Sequence, residues 1–334
     1  MEIKKREIAL SVIVPCYNVE PYLDRSLLSL SQQWNGRTDY EIILVNDAST
    51  DNTLSKLVSF KENYPNNVIV IDKPQNEGVT EARNSGLNVA SGKWVVMFDP
   101  DDALAVGGYD YLLNKYADDN LDIISFGVKI LPEAESPNNW EEPILYSENK
   151  PEVISSRYFL LRFHIGSSIC FFYKKDIIKE IRYPVLYLLE DISFNLPIFL
   201  NEHKVKVVKD KIYYYLTRIS SSTNTLNVDF LNRGCDDIVS AINLIDEYKS
   251  KEIDRNIYDE LTRYQKKYVV NLFTRLLLSG KSKQEISDIY KYLKSIHLLP
   301  ISRLGRKEII INLLFHLPIL MLLIRPLYRA YRKK

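Results

Sequence analysis

Residues 93–102 read KWVVMFDPDD, a short apolar run followed at once by three aspartates. A run without polar alternation is typical of a strand that is buried on both faces of a parallel sheet. Similar apolar runs precede it at 8–14, 41–46 and 67–72. They alternate with stretches of helical periodicity at 21–34, 51–63 and 78–90. This alternation predicts an α/β fold with a doubly wound, mostly parallel sheet.

Polar residues stand where the predicted strands end. Tyr17 and Asn18 follow the first strand, Asp47 follows the second, and Asp99, Asp101 and Asp102 follow the fourth. Because ligands in such sheets bind beyond the carboxyl ends of the strands, we expect a ligand site here. Clustered carboxylates repel one another unless a cation neutralises them, and their hard oxygens suit Mg²⁺ or Mn²⁺. The alternative is an aspartate-rich turn that caps a helix beginning near residue 103.

The segment 76–84, NEGVTEARN, opens the third predicted helix. Gly78 permits a tight turn at its start, and Arg83 lies far enough along the helix to reach back toward the strand ends. The alternative for Arg83 is an ordinary ion pair with Glu77 or a neighbouring aspartate. Neither G-x-G-x-x-G nor G-x-x-x-x-G-K-[ST] occurs in this region, which argues against a dinucleotide-dependent oxidoreductase and a P-loop NTPase.

These segments resemble, in order and spacing, the motifs of family 2 glycosyltransferases with the GT-A fold. The resemblance is carried by SVIVPCYN at 11–18, EIILVNDASTDNT at 41–53 and NEGVTEARNSGLNVASGKWVVMFDPDD at 76–102. It continues with LEDISFN at 189–195, which is similar to the family's ED motif, and with the tyrosine-rich segment 213–224. The resemblance spans about residues 8–224 and leaves the rest of the chain uncovered.

The resemblance implies an inverting transfer of a sugar from a nucleoside-diphosphate donor, with a UDP-sugar expected, to an acceptor hydroxyl. Asp191 would be the general base, with Glu190 beside it. An inverting transfer is a single displacement, so the base takes the acceptor proton on the face opposite the leaving diphosphate. Capping of the helix that begins at Asp191 is the alternative role, and the two roles are compatible.

The resemblance also implies a donor site. Pro15, Tyr17 and Asn18 would line the nucleotide pocket. Asp47 would lie near the base or ribose, Arg83 would contact the base or its surroundings, and Asp99 would approach the ribose. Asp101 with Asp99 would hold Mg²⁺ or Mn²⁺. The metal would neutralise charge on the leaving diphosphate. Two rival classes stay open, namely an inactive scaffold that binds nucleotide sugar or membrane, and a sugar nucleotidyltransferase. The second is expected to carry a glycine-rich basic signature after the first strand, which PCYN does not supply.

The chain has 334 residues with a net charge of +1, and its 46% hydrophobic and 26% charged residues are typical of a globular protein. Such a balance argues against a nucleic-acid binder. The charge is unevenly distributed, because residues 301–334 contain eight basic residues and one acid, Glu308. That segment therefore carries +7, and residues 1–300 carry −6.

The apolar segment 309–324, IIINLLFHLPILMLLI, lies between basic flanks. It is shorter than the roughly 20 residues of a spanning helix, so the favoured interpretation is in-plane or re-entrant attachment to an anionic leaflet. A buried core helix and a spanning helix are the alternatives. We predict a GT-A domain at 1–225, a helical region at 226–334 with an attachment segment at 303–334, and peripheral or monotopic location at the cytoplasmic face of the cell membrane. A glycan or polyprenyl-linked saccharide is the expected acceptor.

Overall fold

The computed structural model describes residues 7–118, 120–135, 142–218, 227–300, 322–326 and 328. The chain forms two compact units. The first comprises residues up to 185 together with 190–219, and the second comprises 186–189 together with the residues from 220 onward. The predicted boundary between a GT-A domain at 1–225 and a helical region at 226–334 stays a prediction.

The first half of the sheet is parallel and follows the predicted alternation. Its elements are β1 Leu10–Cys16, α1 Glu20–Ser31, β2 Tyr40–Asn46, α2 Thr53–Asn63, β3 Val68–Asp72, α3 Val79–Val89 and β4 Trp94–Met97. Every residue of β1, β2 and β4 is buried, as expected for strands covered by helices on both faces. Cys16 is in register with Asn46, and Asn46 with Asp72, so the three strand ends lie along one edge.

The second half of the sheet mixes strand directions. Its elements are β5 Ala103–Leu104, α4 Gly108–Tyr116, β6 Ile123–Pro132, a 3₁₀ turn Glu133–Glu135, β7 Glu152–Ser155, α5 Ser156–Arg162, β8 Phe171–Lys174, α6 Lys175–Ile178, α7 Glu190–Leu200 and β9 Lys204–Thr217. The strand order is β3-β2-β1-β4-β8-β6-β9-β5, with β7 paired to β9. β8 runs antiparallel to β4 and β6, whereas β6 and β9 are parallel. The predicted doubly wound, mostly parallel α/β sheet is confirmed.

Two details of this half differ from the prediction. The sequence pattern predicts two strands, at 204–208 and 211–216. The structure has one continuous strand, β9, because a bulge accommodates its polar centre and shifts the register against Gly127 of β6. Strand β6, like the shorter strands β5 and β7, has no counterpart among the predicted elements. Its burial declines from complete at Ile123 to partial beyond Phe126, so it lacks the uniform apolar run of the earlier strands.

The described residues of the second unit are mostly helical, as predicted. Its helices are α8 Val228–Lys251, α9 Arg255–Leu278 and α10 Lys283–Ser295. Asn227, Asp254 and Ser282 cap their N-termini through side-chain oxygens. No helix in the described residues is both long and apolar enough to cross a membrane. Of the predicted attachment segment, 303–321 and most of the residues after 326 lie outside the described residues.

Candidate active site

The segments that follow β1 and β2 are joined by their own polar groups. Asn18, whose φ of +50° is uncommon outside glycine, accepts hydrogen bonds from the backbone N–H and the hydroxyl of Thr50, at 2.8 and 3.3 Å. The backbone N–H of Asn18 donates to Oγ of Ser49 at 3.1 Å. Pro15 is buried within β1, whereas Tyr17 is 46% exposed. Tyr17 and Asn18 are both exposed, so both can contact a ligand at the end of β1.

Asp47 holds the start of helix α3 against strand β2. Its carboxylate, in a residue only 2% exposed, accepts the backbone N–H groups of Glu77 and Gly78 at 3.1 and 2.7 Å. Nζ of Lys73 lies 2.9 Å from the same carboxylate. Gly78 has a φ of +91°, which glycine adopts without the penalty of a Cβ. The predicted contact of Asp47 with the base or ribose stays a prediction beside this observed structural role.

Tyr213 of β9 organises the turn that contains the aspartates after β4. Its hydroxyl donates to Oδ2 of Asp102 at 2.7 Å and accepts the backbone N–H of Asp99 at 3.2 Å. Oδ1 of Asp102 accepts the backbone N–H of Leu216 at 2.8 Å. Burial, together with the nearby charge of Asp99, raises the pKa of Asp102 to about 8. Asp102 therefore fixes the turn to β9 from inside the protein.

Asp101 faces two arginines. Its carboxylate forms an ion pair with Arg218, and its backbone carbonyl accepts a hydrogen bond from Arg25 at 3.0 Å. Among the described residues, no three Asp, Glu, His or Cys side chains are arranged to hold a metal. The Asp101 side chain is nevertheless 24% exposed. It fits a metal such as Mg²⁺ that takes one or two protein carboxylates and completes its shell with water and phosphate oxygens.

Arg83 of α3 lies at the centre of three carboxylates. It is 3% exposed. Its Nη2 lies 3.0 Å from Oδ1 of Asp99, and its Nη1 lies 3.1 Å from both Oε1 of Glu190 and Oδ1 of Asp191. The guanidinium also lies over the ring of Tyr183, 5.2 Å from its centroid. One cation thus joins the predicted donor-side aspartate to the predicted base.

Burial and charge act in opposite directions in this cluster. Burial alone would lower the pKa of Arg83, but Asp191 and Asp99 raise it well above its usual range. Burial raises the pKa of Glu190 to about 7, with a further contribution from Asp191 that Arg83 opposes. Burial also raises the pKa of Asp191, against the effects of Arg83 and Ser168. The guanidinium stays charged, while the carboxyl groups of Glu190 and Asp191 hold their protons more tightly than exposed ones.

The motifs that carry Arg83 and Asp99, two members of this cluster, lie within a recognised family pattern. A family model described as glycosyl transferase family 2 matches residues 11–182, about half of the chain. The chain belongs to glycosyl transferase family 2. The match covers the predicted donor residues and ends before Glu190 and Asp191, which the tertiary structure brings to Arg83.

Two curated relatives have names that refer to teichoic acid and poly(ribitol-phosphate). Minor teichoic acid biosynthesis protein GgaB of Bacillus subtilis is 32% identical over 255 residues, which are 72% of this chain and 27% of that protein. Poly(ribitol-phosphate) beta-glucosyltransferase of Bacillus spizizenii is 29% identical over 304 residues, 87% of this chain and 45% of that protein. The chain therefore spans less than half the length of each of these relatives.

A solved structure supports the fold. The crystal structure of S. aureus TarS 1-349 in complex with UDP-GlcNAc superposes with a TM-score of 0.58, at 20% identity and over 92% of each chain. This likeness confirms the predicted GT-A architecture of the family 2 chain.

The structure brings most of the predicted residues to one edge of the sheet and adds several that the sequence did not single out. Ser168 donates to Asp191, Lys73 pairs with Asp47, and Tyr213 and Arg218 bind the turn after β4. Ser168 and Lys73 carry no local pattern, since each is one polar residue in an irregular segment. The tyrosine-rich segment 213–224 was the available signal for Tyr213 and Arg218.

Proposed function

We propose that this family 2 chain is an inverting glycosyltransferase that moves a sugar from a nucleoside-diphosphate sugar, with a UDP-sugar expected, to a hydroxyl of a glycan or lipid-linked saccharide in cell-surface polysaccharide synthesis. The family supports the class of reaction. The names of the two relatives, which refer to teichoic acid and poly(ribitol-phosphate), support a surface polymer. The observation that carries the proposal is the burial of Arg83 between Asp99 and Asp191.

The donor would bind across the carboxyl ends of β1, β2 and β4. The exposed ring of Tyr17 suits contact with a nucleoside, while Pro15 and Asn18 would form the floor of that pocket. Asp99, which is 26% exposed on its side chain and held by Arg83, would meet the ribose. The bonds of Asp47 to Glu77 and Gly78 would keep the pocket wall in place.

Asp191 would act on the acceptor side as the general base. Its bond to Arg83 favours the ionised carboxylate, which burial alone disfavours. Glu190 shares the same nitrogen of Arg83 and would place a second carboxyl group beside the reacting hydroxyl. Because a base must lie apart from the leaving diphosphate, the binding of Asp191 and Asp99 to different terminal nitrogens of Arg83 suits a single displacement.

Asp101, with Asp99, would hold Mg²⁺ or Mn²⁺. The bound ion would neutralise the charge that develops on the leaving diphosphate. Since Asp101 pairs with Arg218, metal binding requires this guanidinium to share or leave the carboxylate. The partly exposed side chain of Asp101 gives water and phosphate access to such an ion.

Residues 1–225 would form the catalytic domain, and the segment 303–334 would attach the helical region 226–334 to an anionic membrane at the cytoplasmic face. The +7 charge of residues 301–334 supports the attachment. One of these basic residues has a partner inside the second unit, because Arg325 donates to the carbonyl oxygens of Leu276 and Lys281 at 3.0 and 3.1 Å. Truncation after Leu299 should move the protein out of the membrane fraction, and retention there would refute the anchor.

A donor screen tests the proposed activity. Nucleotide sugars are screened with Mn²⁺ by thermal shift, and the products formed from the best donor are analysed in the presence of saccharide acceptors. Release of a nucleoside diphosphate with a new glycosidic bond is expected. Release of pyrophosphate would instead identify a nucleotidyltransferase, and stabilisation by donors without any product would identify an inactive scaffold.

A further inference from the structure

Two hydrogen-bond donors contact the same carboxylate oxygen of Asp191. Nη1 of Arg83 lies 3.1 Å from Oδ1, and Oγ of Ser168 lies 2.6 Å from Oδ1. Ser168 is 0% exposed and lies in the loop that precedes β8. A hydroxyl-to-carboxylate hydrogen bond of this length is charge-assisted, so it favours the ionised form of the acid. No sequence motif marks Ser168.

The loop that carries this serine is fixed to helix α7. Asn195, which is 0% exposed and lies one turn after Asp191, donates through Nδ2 to the carbonyl oxygens of Ile165 and Ser167 at 2.7 and 3.2 Å. Oδ1 of Asn195 accepts the hydroxyl of Tyr173 at 2.6 Å. Both polar atoms of the amide therefore hold the loop and β8 against the helix that carries the carboxylate. The Ser168 hydroxyl therefore reaches Asp191 from a loop that hydrogen bonds fix to α7.

We propose that Ser168 is a positioning residue for the general base, fixing Oδ1 of Asp191 in its ionised form so that Oδ2 takes the proton of the attacking hydroxyl. This inference rests on the proposed function for the role of Asp191. In the transfer, the acceptor O–H bond breaks as its proton binds Oδ2, and the acceptor oxygen bonds to the anomeric carbon. The bond from that carbon to the diphosphate breaks, and its electron pair leaves with the diphosphate. Ser168 donates throughout and exchanges no bond.

Several other groups face Asp191 and influence its ionisation. Three of them are charged or acidic groups: Arg83 of α3, Asp99 after β4 and Glu190 of α7. The other three are Tyr173 of β8, Cys170 just before β8 and Tyr183 in the segment before α7. All of them stay in place when only the hydroxyl of Ser168 is removed. A change in the titration of Asp191 in such a variant therefore reports the hydroxyl.

The direct test is the titration of the Asp191 carboxyl carbon by NMR in the full chain labelled with ¹³C-aspartate, with the signal assigned from Asp191→Asn. Ser168→Ala should raise the titration midpoint by about 0.5–1 pH unit, because the lost hydrogen bond favoured the charged form. Ser168→Cys, with a weaker donor of similar size, should raise it by less. Ser167→Ala is the matched control, since the carbonyl of Ser167 is the group that contacts Asn195. An unchanged midpoint in folded Ser168→Ala or Ser168→Cys protein overturns the proposal.

Kinetics separate this inference from the proposed function. Ser168→Ala should lower kcat about tenfold at pH 7, within the range of a general-base contribution, while the KM for the donor stays unchanged. In the pH profile of kcat for this variant, the pKa of the acidic limb should rise together with the NMR midpoint. A wild-type protein that releases no nucleoside diphosphate contradicts the proposed function, and the NMR midpoint then decides the Ser168 interaction alone. An active wild type with an equally active Ser168→Ala variant overturns only the positioning role.

Discussion

Nη1 of Arg83 and Oδ1 of Asp191 lie 3.1 Å apart, although 108 residues separate them in the chain. The same guanidinium reaches Asp99 at 3.0 Å through its other terminal nitrogen. A single buried cation therefore connects the end of strand β4 with the start of helix α7. The proposed donor side and acceptor side depend on one side chain for their electrostatic balance.

Replacement of Arg83 should destabilise the protein strongly. Arg83→Met leaves three partly buried carboxylates without their cation, so the free energy of unfolding should fall by about 3 kcal/mol. Arg83→Lys should recover only part of this loss, because one ammonium group cannot present two separated nitrogens. Chemical denaturation at pH 7 measures both. Arg182→Met, at an exposed arginine that donates to Asn88, is the control and should change stability by less than about 0.5 kcal/mol.

Asp191→Asn should abolish transfer while the donor still binds. Loss of the general base should lower kcat by about 10²–10⁴-fold. The dissociation constant of the nucleotide sugar, measured by calorimetry, should stay within about twofold of wild type because the base contacts the acceptor. Asp24→Asn, at an exposed aspartate of α1, serves as the control. A loss of donor affinity as large as the loss of turnover would contradict this division of roles.

Asp47→Asn should loosen the segment between β3 and α3. The change removes the charge that pairs with Lys73 and weakens acceptance from the amides of Glu77 and Gly78. Unfolding free energy should fall by about 1–3 kcal/mol. Hydrogen exchange should accelerate at those two amides more than at the amides of β2. Wild-type protection at Glu77 and Gly78 would refute the structural role of Asp47.

Glu190 should make stability depend on pH. Its pKa is raised from 4.5 to about 7 in the folded protein, so the folded state binds this proton more tightly than the unfolded state. Stability should therefore be greatest below pH 4.5 with respect to this group and decline as the pH rises to about 7. Glu190→Gln should remove that decline, a difference on the order of 2 kcal/mol. Denaturation of both proteins at several pH values between 5 and 8 measures this difference. If the free energy of unfolding had the same pH dependence in both proteins, the effect would be excluded.

Metal removal should stop the proposed reaction. Treatment with EDTA should abolish turnover, and Mn²⁺ or Mg²⁺ should restore it, because the ion neutralises the leaving diphosphate. Asp101→Asn should raise the metal concentration for half-maximal activity by more than about tenfold, the loss typical of even an outer-shell partner. Asp118→Asn, at an exposed aspartate, should leave that concentration unchanged. Full activity in EDTA would contradict the metal role of Asp101.

The parts of the fold that the sequence predicted are those in which local pattern and tertiary environment agree. Strands β1, β2 and β4 are wholly buried, so their apolar runs are unambiguous. The sequence of strand β9 predicts two separate strands, because Lys209 and Asp210 interrupt its apolar pattern. In the structure, Asp210 accepts hydrogen bonds from Tyr111 and Ser147, and the bulge lets the strand continue.

The sequence by itself determined the alternation of strands and helices from β1 to β4 and the identity of the carboxylates at the strand ends. Both follow from periodicity and from the rule that parallel strands end at one edge. Only the tertiary structure decided which groups share a charge, namely Arg83 with Asp99, Glu190 and Asp191, and Ser168 with Asp191. The physical reason is that pKa and ion pairing depend on burial and distance in three dimensions, and spacing along the chain encodes neither.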